Sequence, residues 1–118
     1  MAFFTYILSS GRNGTLYVGS TDDLIKRVGE HKAKVFRGFT SRYDVDRLVW
    51  FQVHGTREDA FLKERRIKKW KRAWKLRMIE AVNPDWRDLY DQIRLDGLRD
   101  AIDWIPACAG MSGHDNVD

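Results

Sequence analysis

Residues 3–19 restrict what this chain can fold into more than any other segment. Phe3-Phe4-Thr5-Tyr6-Ile7-Leu8 is aromatic and β-branched, which predicts a buried strand. Ser9-Ser10-Gly11-Arg12-Asn13-Gly14 is dense in turn formers and ends in Asn-Gly. Thr15-Leu16-Tyr17-Val18 is then the return strand of a hairpin. Gly19 is expected to let the chain turn sharply out of it.

A helix is expected next. Ser20 at its N-cap and Asp23 three residues on make a capping-box-like pair, and Asp22 with Asp23 suits the positive end of the dipole. This helix should run to about Lys34, with Leu24, Ile25 and Val28 as its apolar stripe. Arg27 and His31 are four residues apart and so share a face at the edge of that stripe. Residues 36–46 predict an ordered loop, and Leu48-Val49-Trp50-Phe51-Gln52-Val53 a third strand. Thr56 is placed to cap a second helix over 57–70, and a third is expected over 72–82, stopped by Asn83-Pro84-Asp85. Residues 89–95 can hold one more short helix. Residues 93–118 read as a C-terminal extension, disordered from about residue 107, where the sequence turns small, polar and aperiodic.

Length and charge bound the function. At 118 residues the chain suits one small domain. No apolar run approaches the ~20 residues that span a bilayer. The N-terminus lacks the basic and apolar regions of a signal peptide, and the single Cys108 can form neither an internal disulfide nor a cysteine-based zinc site. A cytoplasmic location is expected. The net charge of +4 hides a split: residues 1–82 hold 18 Lys+Arg against 9 Asp+Glu, and residues 83–118 hold 3 Arg against 8 Asp. The basic part is the folded part, and a polyanion is its expected partner.

Against that background Glu64 stands out. It is the lone acid between Phe61 and Arg77, among nine Lys+Arg. On a helical projection it falls within an apolar stripe of Ala60, Phe61 and Ile67, where a carboxylate costs several kcal/mol unless paired or bound to a cation. It is either a structural ion pair with a nearby arginine or a ligand to a hard divalent ion, which takes oxygen ligands and needs few from the protein. Tyr6 and Tyr17 are either core residues or paired phenols beside a phosphate site, where nearby cations would lower their pKa toward general-base range. Arg27 is a solvated charge or a fork for phosphate oxygens. His31 is either a side chain with no part in chemistry or one that relays a proton or touches a phosphate, whereas His54 and His114 read as incidental. Trp70 and Trp74 read as core anchors for the third helix in preference to platforms that stack on bases. Lys68, Lys69, Lys71, Arg72 and Lys75 around them are candidates for phosphate contacts.

In this order, these residues resemble the GIY-YIG endonuclease superfamily. Thr5-Tyr6-Ile7 stands where the first signature triplet belongs, and Tyr17-Val18-Gly19 matches the second. Arg27 with His31 matches the helix motif that follows, and Glu64 the metal-binding glutamate. The basic segment and Asn83-Pro84-Asp85-Trp86-Arg87-Asp88-Leu89 are similar to small stand-alone bacterial members, so the resemblance covers about residues 2–92. It implies an α+β fold, a small three-stranded antiparallel sheet flanked by helices. It also implies Mg²⁺- or Mn²⁺-dependent hydrolysis of a phosphodiester, usually in DNA. In that picture Glu64 holds a single divalent ion, Tyr17 or Tyr6 helps to deprotonate water, Arg27 stabilises the transition state, His31 assists, and Asn83 supports the site. Thr5 replaces the usual glycine, Ser20 stands where some family nucleases have a lysine, and the spacing from Glu64 to Asn83 is longer than in several of them.

The expected function is therefore a metal-dependent DNA endonuclease, structure-selective or weakly sequence-specific, serving DNA repair or recombination, alone, as a homodimer or with a protein partner. Two rivals are a nucleic-acid-binding module on the same fold and a basic protein-interaction domain.

Overall fold

The computed structural model describes residues 2–34, 38 and 42–96. The expected extension beyond residue 96 and much of the expected 36–46 loop lie outside them. Three strands form one antiparallel sheet: β1 (Phe3–Ser9), β2 (Leu16–Thr21) and β3 (Arg47–His54), in the order β2-β1-β3. Among the described residues four helices accompany it: α1 (Leu24–Lys32), α2 (Arg57–Lys68), α3 (Arg72–Val82) and α4 (Tyr90–Asp96). This is the α+β architecture expected from the sequence. No helix among the described residues is long and apolar enough to cross a membrane.

Period-two alternation along β1 divides the core. Phe4, Tyr6 and Leu8 pack on one face with Leu24 and Val28 of α1, Phe51 of β3, Leu89, and Ile93 of α4. Ile7 points the other way, to Val18, Trp50, Ile67 of α2, Met78 and Ile79 of α3, and Trp86. The β1–β3 register is irregular between Ile7 and Leu8, which pair with Trp50 and Leu48. Val49 is the extra residue, so Val49 and Trp50 both face the second cluster, as a bulge requires.

Four expectations at element ends change. Ser20 is not a helix cap: it pairs with Thr5, and Thr21 with Phe4, so β2 runs on to Thr21. Asp23 caps α1 instead, its Oδ1 accepting from Lys26 N at 3.1 Å, and the first turn of α1 holds no acid. Thr56 does cap α2, accepting from Asp59 N at 3.1 Å, but that helix ends at Lys68. Its buried residues are Ala60, Lys63 and Ile67, while Phe61 is 47% exposed. The buried stripe follows the i, i+3, i+7 spacing, and Phe61, one residue past Ala60, is rotated ~100° out of it.

Candidate active site

The hairpin register assembles the site. Tyr6 pairs with Gly19 and Leu8 with Tyr17, so Tyr6 and Tyr17 are diagonal neighbours on one face of the sheet. Their ring centroids lie 6.4 Å apart. α1 leaves β2 across the same face and delivers His31 to both, 6.3 Å from Tyr6 and 5.5 Å from Tyr17. The Tyr6 hydroxyl lies 3.5 Å from His31 Nε2. Gly19 serves this arrangement by its size and not as a turn: it sits inside β2, and a Cβ there would fall 2.5 Å from the Tyr6 hydroxyl.

Burial sets the protonation states. Tyr6 is fully buried, and desolvation pushes its phenol well above the ordinary tyrosine range. The neighbouring Tyr17 and Glu64 push the same way, and the charge and hydrogen bonding of Arg27 oppose them only in part. The expected cation-lowered phenol is therefore reversed at Tyr6, which remains a proton donor. Desolvation, followed by the Arg27 charge, lowers the pKa of buried His31 against the opposing Glu30 and Asp46. His31 is thus a neutral imidazole at neutral pH. Arg27 lies one turn before it on α1, half-buried, with Nε 3.7 Å from Glu30 Oε1.

Glu64 reaches β2 from the opposite face of the sheet. That face is fixed by Thr5, whose buried hydroxyl donates to Ala60 O of α2 at 2.8 Å. Ser20, the cross-strand partner of Thr5, donates from Oγ to Glu64 Oε1 at 2.6 Å. Lys68, one turn along α2, donates from Nζ to Oε2 at 2.7 Å. The Glu64 side chain is only 13% exposed. The phenols and imidazole thus stand on one side of an edge strand and the carboxylate on the other. Its negative charge is felt at the Tyr6 hydroxyl.

The donor set decides what cation fits here. Among the described residues no three His, Cys, Asp or Glu side chains cluster as a metal cage. One carboxylate beside an edge strand suits a hard divalent ion that keeps most of its waters and shares substrate phosphate oxygens. It does not suit a structural zinc site. Glu64 would hold such an ion, and Lys68 already stands on it as a cation.

The other expected residues scatter. The buried Asn83 amide donates to Val49 O at 3.1 Å and Arg87 O at 2.9 Å, and accepts from Arg87 N at 3.0 Å. It thereby satisfies the bulge carbonyl and fastens the end of α3. Arg72 donates to Asn13 O and Gly14 O, both at 2.7 Å, clasping the hairpin turn. Lys69 and Lys71 are exposed, and half-buried Lys75 has its pKa lowered by desolvation, then by Arg72. His54 is not incidental. The Thr5 hydroxyl has one proton, already given to Ala60 O, so His54 Nε2, 2.9 Å away, carries the hydrogen of that contact. The Ser20–Glu64 contact is a further feature of the site that the sequence alone barely marks. A hydroxyl in place of a lysine was its only trace.

The fold and this site together define a small α+β domain with a phenol–imidazole cluster and one carboxylate astride an edge strand. Residues 2–77 match the family model described as the GIY-YIG catalytic domain, and the chain belongs to the GIY-YIG family. That family consists of nucleases acting on nucleic acid, generally with divalent metal ions. Among solved structures, the chain is similar to the solution NMR structure of a UPF0213 protein from Bacillus halodurans. The identity is 25%, over 75% of this chain and 93% of that one, with a TM-score of 0.47. No curated protein matches the chain.

Proposed function

We propose that this domain is a metal-dependent endonuclease that hydrolyses phosphodiester bonds in DNA, selecting structure more than sequence, in repair or recombination. The observation that supports this best is the nearly buried Glu64, held by Ser20 against the strand that carries Gly19 and Tyr17. A divalent ion on Glu64 would neutralise charge on the phosphate and on the leaving oxygen. Arg27 offers its planar fork to the same phosphate. Tyr6, fully buried and kept protonated, packs its hydroxyl 3.5 Å from His31 Nε2 and so positions that imidazole without touching the substrate. His31, kept neutral, accepts the proton that the attacking water loses, directly or through Tyr17. The basic surface of α2 and α3 supplies affinity without sequence readout.

The test is cleavage of supercoiled plasmid and of branched and single-stranded oligonucleotides in Mg²⁺, Mn²⁺ or EDTA. Wild type is compared with Glu64→Gln and Tyr17→Phe. The expected result is metal-dependent cutting that both substitutions abolish while binding survives. Wild-type binding with no cutting on any substrate would replace this reading by a non-catalytic nucleic-acid-binding module.

A further inference from the structure

A second feature lies on the outer side of α2, away from the sheet. Leu62, Arg65, Arg66 and Lys69 follow one another at i, i+3, i+4 and i+7, which puts them on one stripe. They line a cavity of about 430 Å³ together with Trp70 and Trp74. Only residues 69–71 separate α2 from α3, and the indoles occupy the corner this creates. Their centroids are 6.2 Å apart with planes at 75°, so the two rings meet as perpendicular walls. Leu62 is 52% exposed at the rim. The cavity is of ligand-pocket size. Three of its six lining residues are cationic and none is acidic.

We propose that this corner is a binding site for one unpaired nucleotide of a nucleic-acid strand. A planar base can stack on one indole and meet the edge of the other. A base in a duplex has both faces covered by its neighbours and cannot do so. Arg65, Arg66 and Lys69 offer countercharge to the flanking phosphates. The position also suits a strand that passes the candidate active site. At 100° per residue, Glu64, Lys68, Arg65 and Lys69 succeed one another around α2, so a cationic arc leads from the carboxylate to the pocket. The inference rests on the nucleic-acid reading of the active site but not on cleavage, and is tested without cleavage.

The probes are a fluorescently labelled single-stranded oligothymidylate, a blunt duplex and the mononucleotide dTMP, titrated by anisotropy and tryptophan quenching in EDTA. The chains are wild type, Trp74→Ala, Trp74→Phe and the surface double variant Arg65→Gln/Lys69→Gln. We expect Trp74→Ala to weaken single-strand binding on the order of tenfold, the size of one lost base stack. Duplex binding should stay within about twofold, and Trp74→Phe should restore the single-strand affinity. The double variant should lower the slope of log K against log salt for the single strand by about 1.4, two phosphates at ~0.7 each. Equal losses on single strand and duplex, no loss on either, or no single-strand binding by wild type would overturn the proposal. Binding of dTMP as tight as that of the oligonucleotide would also overturn it, by making a free nucleotide the occupant. If Trp74→Ala does not fold, the surface double variant alone decides. The cleavage reading fails separately, by the absence of metal-dependent cutting.

Discussion

The Tyr6 hydroxyl occupies the space that a side chain at Gly19 would fill: a Cβ built on Gly19 meets Tyr6 Oη at 2.5 Å and Tyr6 Cζ at 2.6 Å. The two are cross-strand partners, and Tyr6 cannot retreat because it is fully buried between sheet and α1. Gly19→Ala should therefore destabilise the domain by about 1–3 kcal/mol, the usual cost of overpacking a filled core. Urea unfolding reads this. Tyr6→Phe should not rescue it, because the ring carbon stays in place. A full rescue by Phe would mean that the hydroxyl alone defines the contact.

Glu64 and Lys68 give a second expectation. The Lys68 ammonium is half-exposed and holds an i, i+4 pair with a carboxylate that a metal ion would need. Such pairs are worth about 0.2–1 kcal/mol. Lys68→Met should thus strengthen Mn²⁺ binding by roughly 1.4- to fivefold, measured by calorimetry on the protein without nucleic acid. Glu64→Gln should abolish that binding. Unchanged affinity in Lys68→Met would show that the lysine does not compete with the ion.

The pH dependence follows from His31. Its folded pKa is lowered, so the folded state resists protonation more than the unfolded chain does. That contribution to stability is complete above the ordinary histidine pKa of ~6.5 and declines as pH falls through that value toward the folded pKa. The urea midpoint should accordingly drop between about pH 7 and pH 5, and His31→Gln should flatten this part of the profile. An unchanged slope in His31→Gln would assign the acid sensitivity to other groups.

Local patterns carried most of this fold. Strand alternation, the Asn-Gly turn, the Thr56 cap and the Asn83-Pro84 stop each act over a few residues, and they marked their elements closely except at the end of β2, which runs three residues past the expected Val18. What the sequence could not supply was register. Ser20 reads as a helix cap until Thr5 pairs with it, and only then does it face Glu64. The same holds for Thr5 itself. A threonine in place of a glycine looks harmless to chemistry, yet its hydroxyl links β1 to Ala60 O and to His54 at the far end of β3. Tyr6 shows the limit from another side. Its place in the site was readable, but its protonation depends on burial between two elements, and burial reversed the expected shift.

Thr5→Val tests that linkage. It keeps the shape and removes both hydrogen bonds. The loss should be about 0.5–1.5 kcal/mol, since the exposed side of His54 can turn to water and Ala60 O lies within a helix. Nuclease activity per folded molecule should not change, because Thr5 points away from the tyrosines. A selective loss of activity would mean that the Thr5 bond to Ala60 O sets the position of α2, and with it Glu64.

Asn83 separates structure from chemistry. The family resemblance gives it a supporting role in the site, while its amide in this fold donates twice and accepts once within the α3 terminus and β3. The decisive partner is Val49 O, the carbonyl of the bulge residue, which a regular strand register would have paired with β1. Removing the amide leaves this buried acceptor without its donor, at roughly 1–3 kcal/mol, and frees the turn that carries buried Trp86. Trp86 has φ of 56°, a conformation bulky residues hold only when the surroundings enforce it. Asn83→Ala should therefore cost at least ~1–3 kcal/mol in urea unfolding. It should also increase amide exchange at residues 84–88. Cleavage per folded molecule, measured well below the unfolding transition, should stay near wild type. If cleavage falls tenfold or more while stability and exchange are preserved, Asn83 acts on the reaction, and its bonds to Val49 and Arg87 serve to aim it.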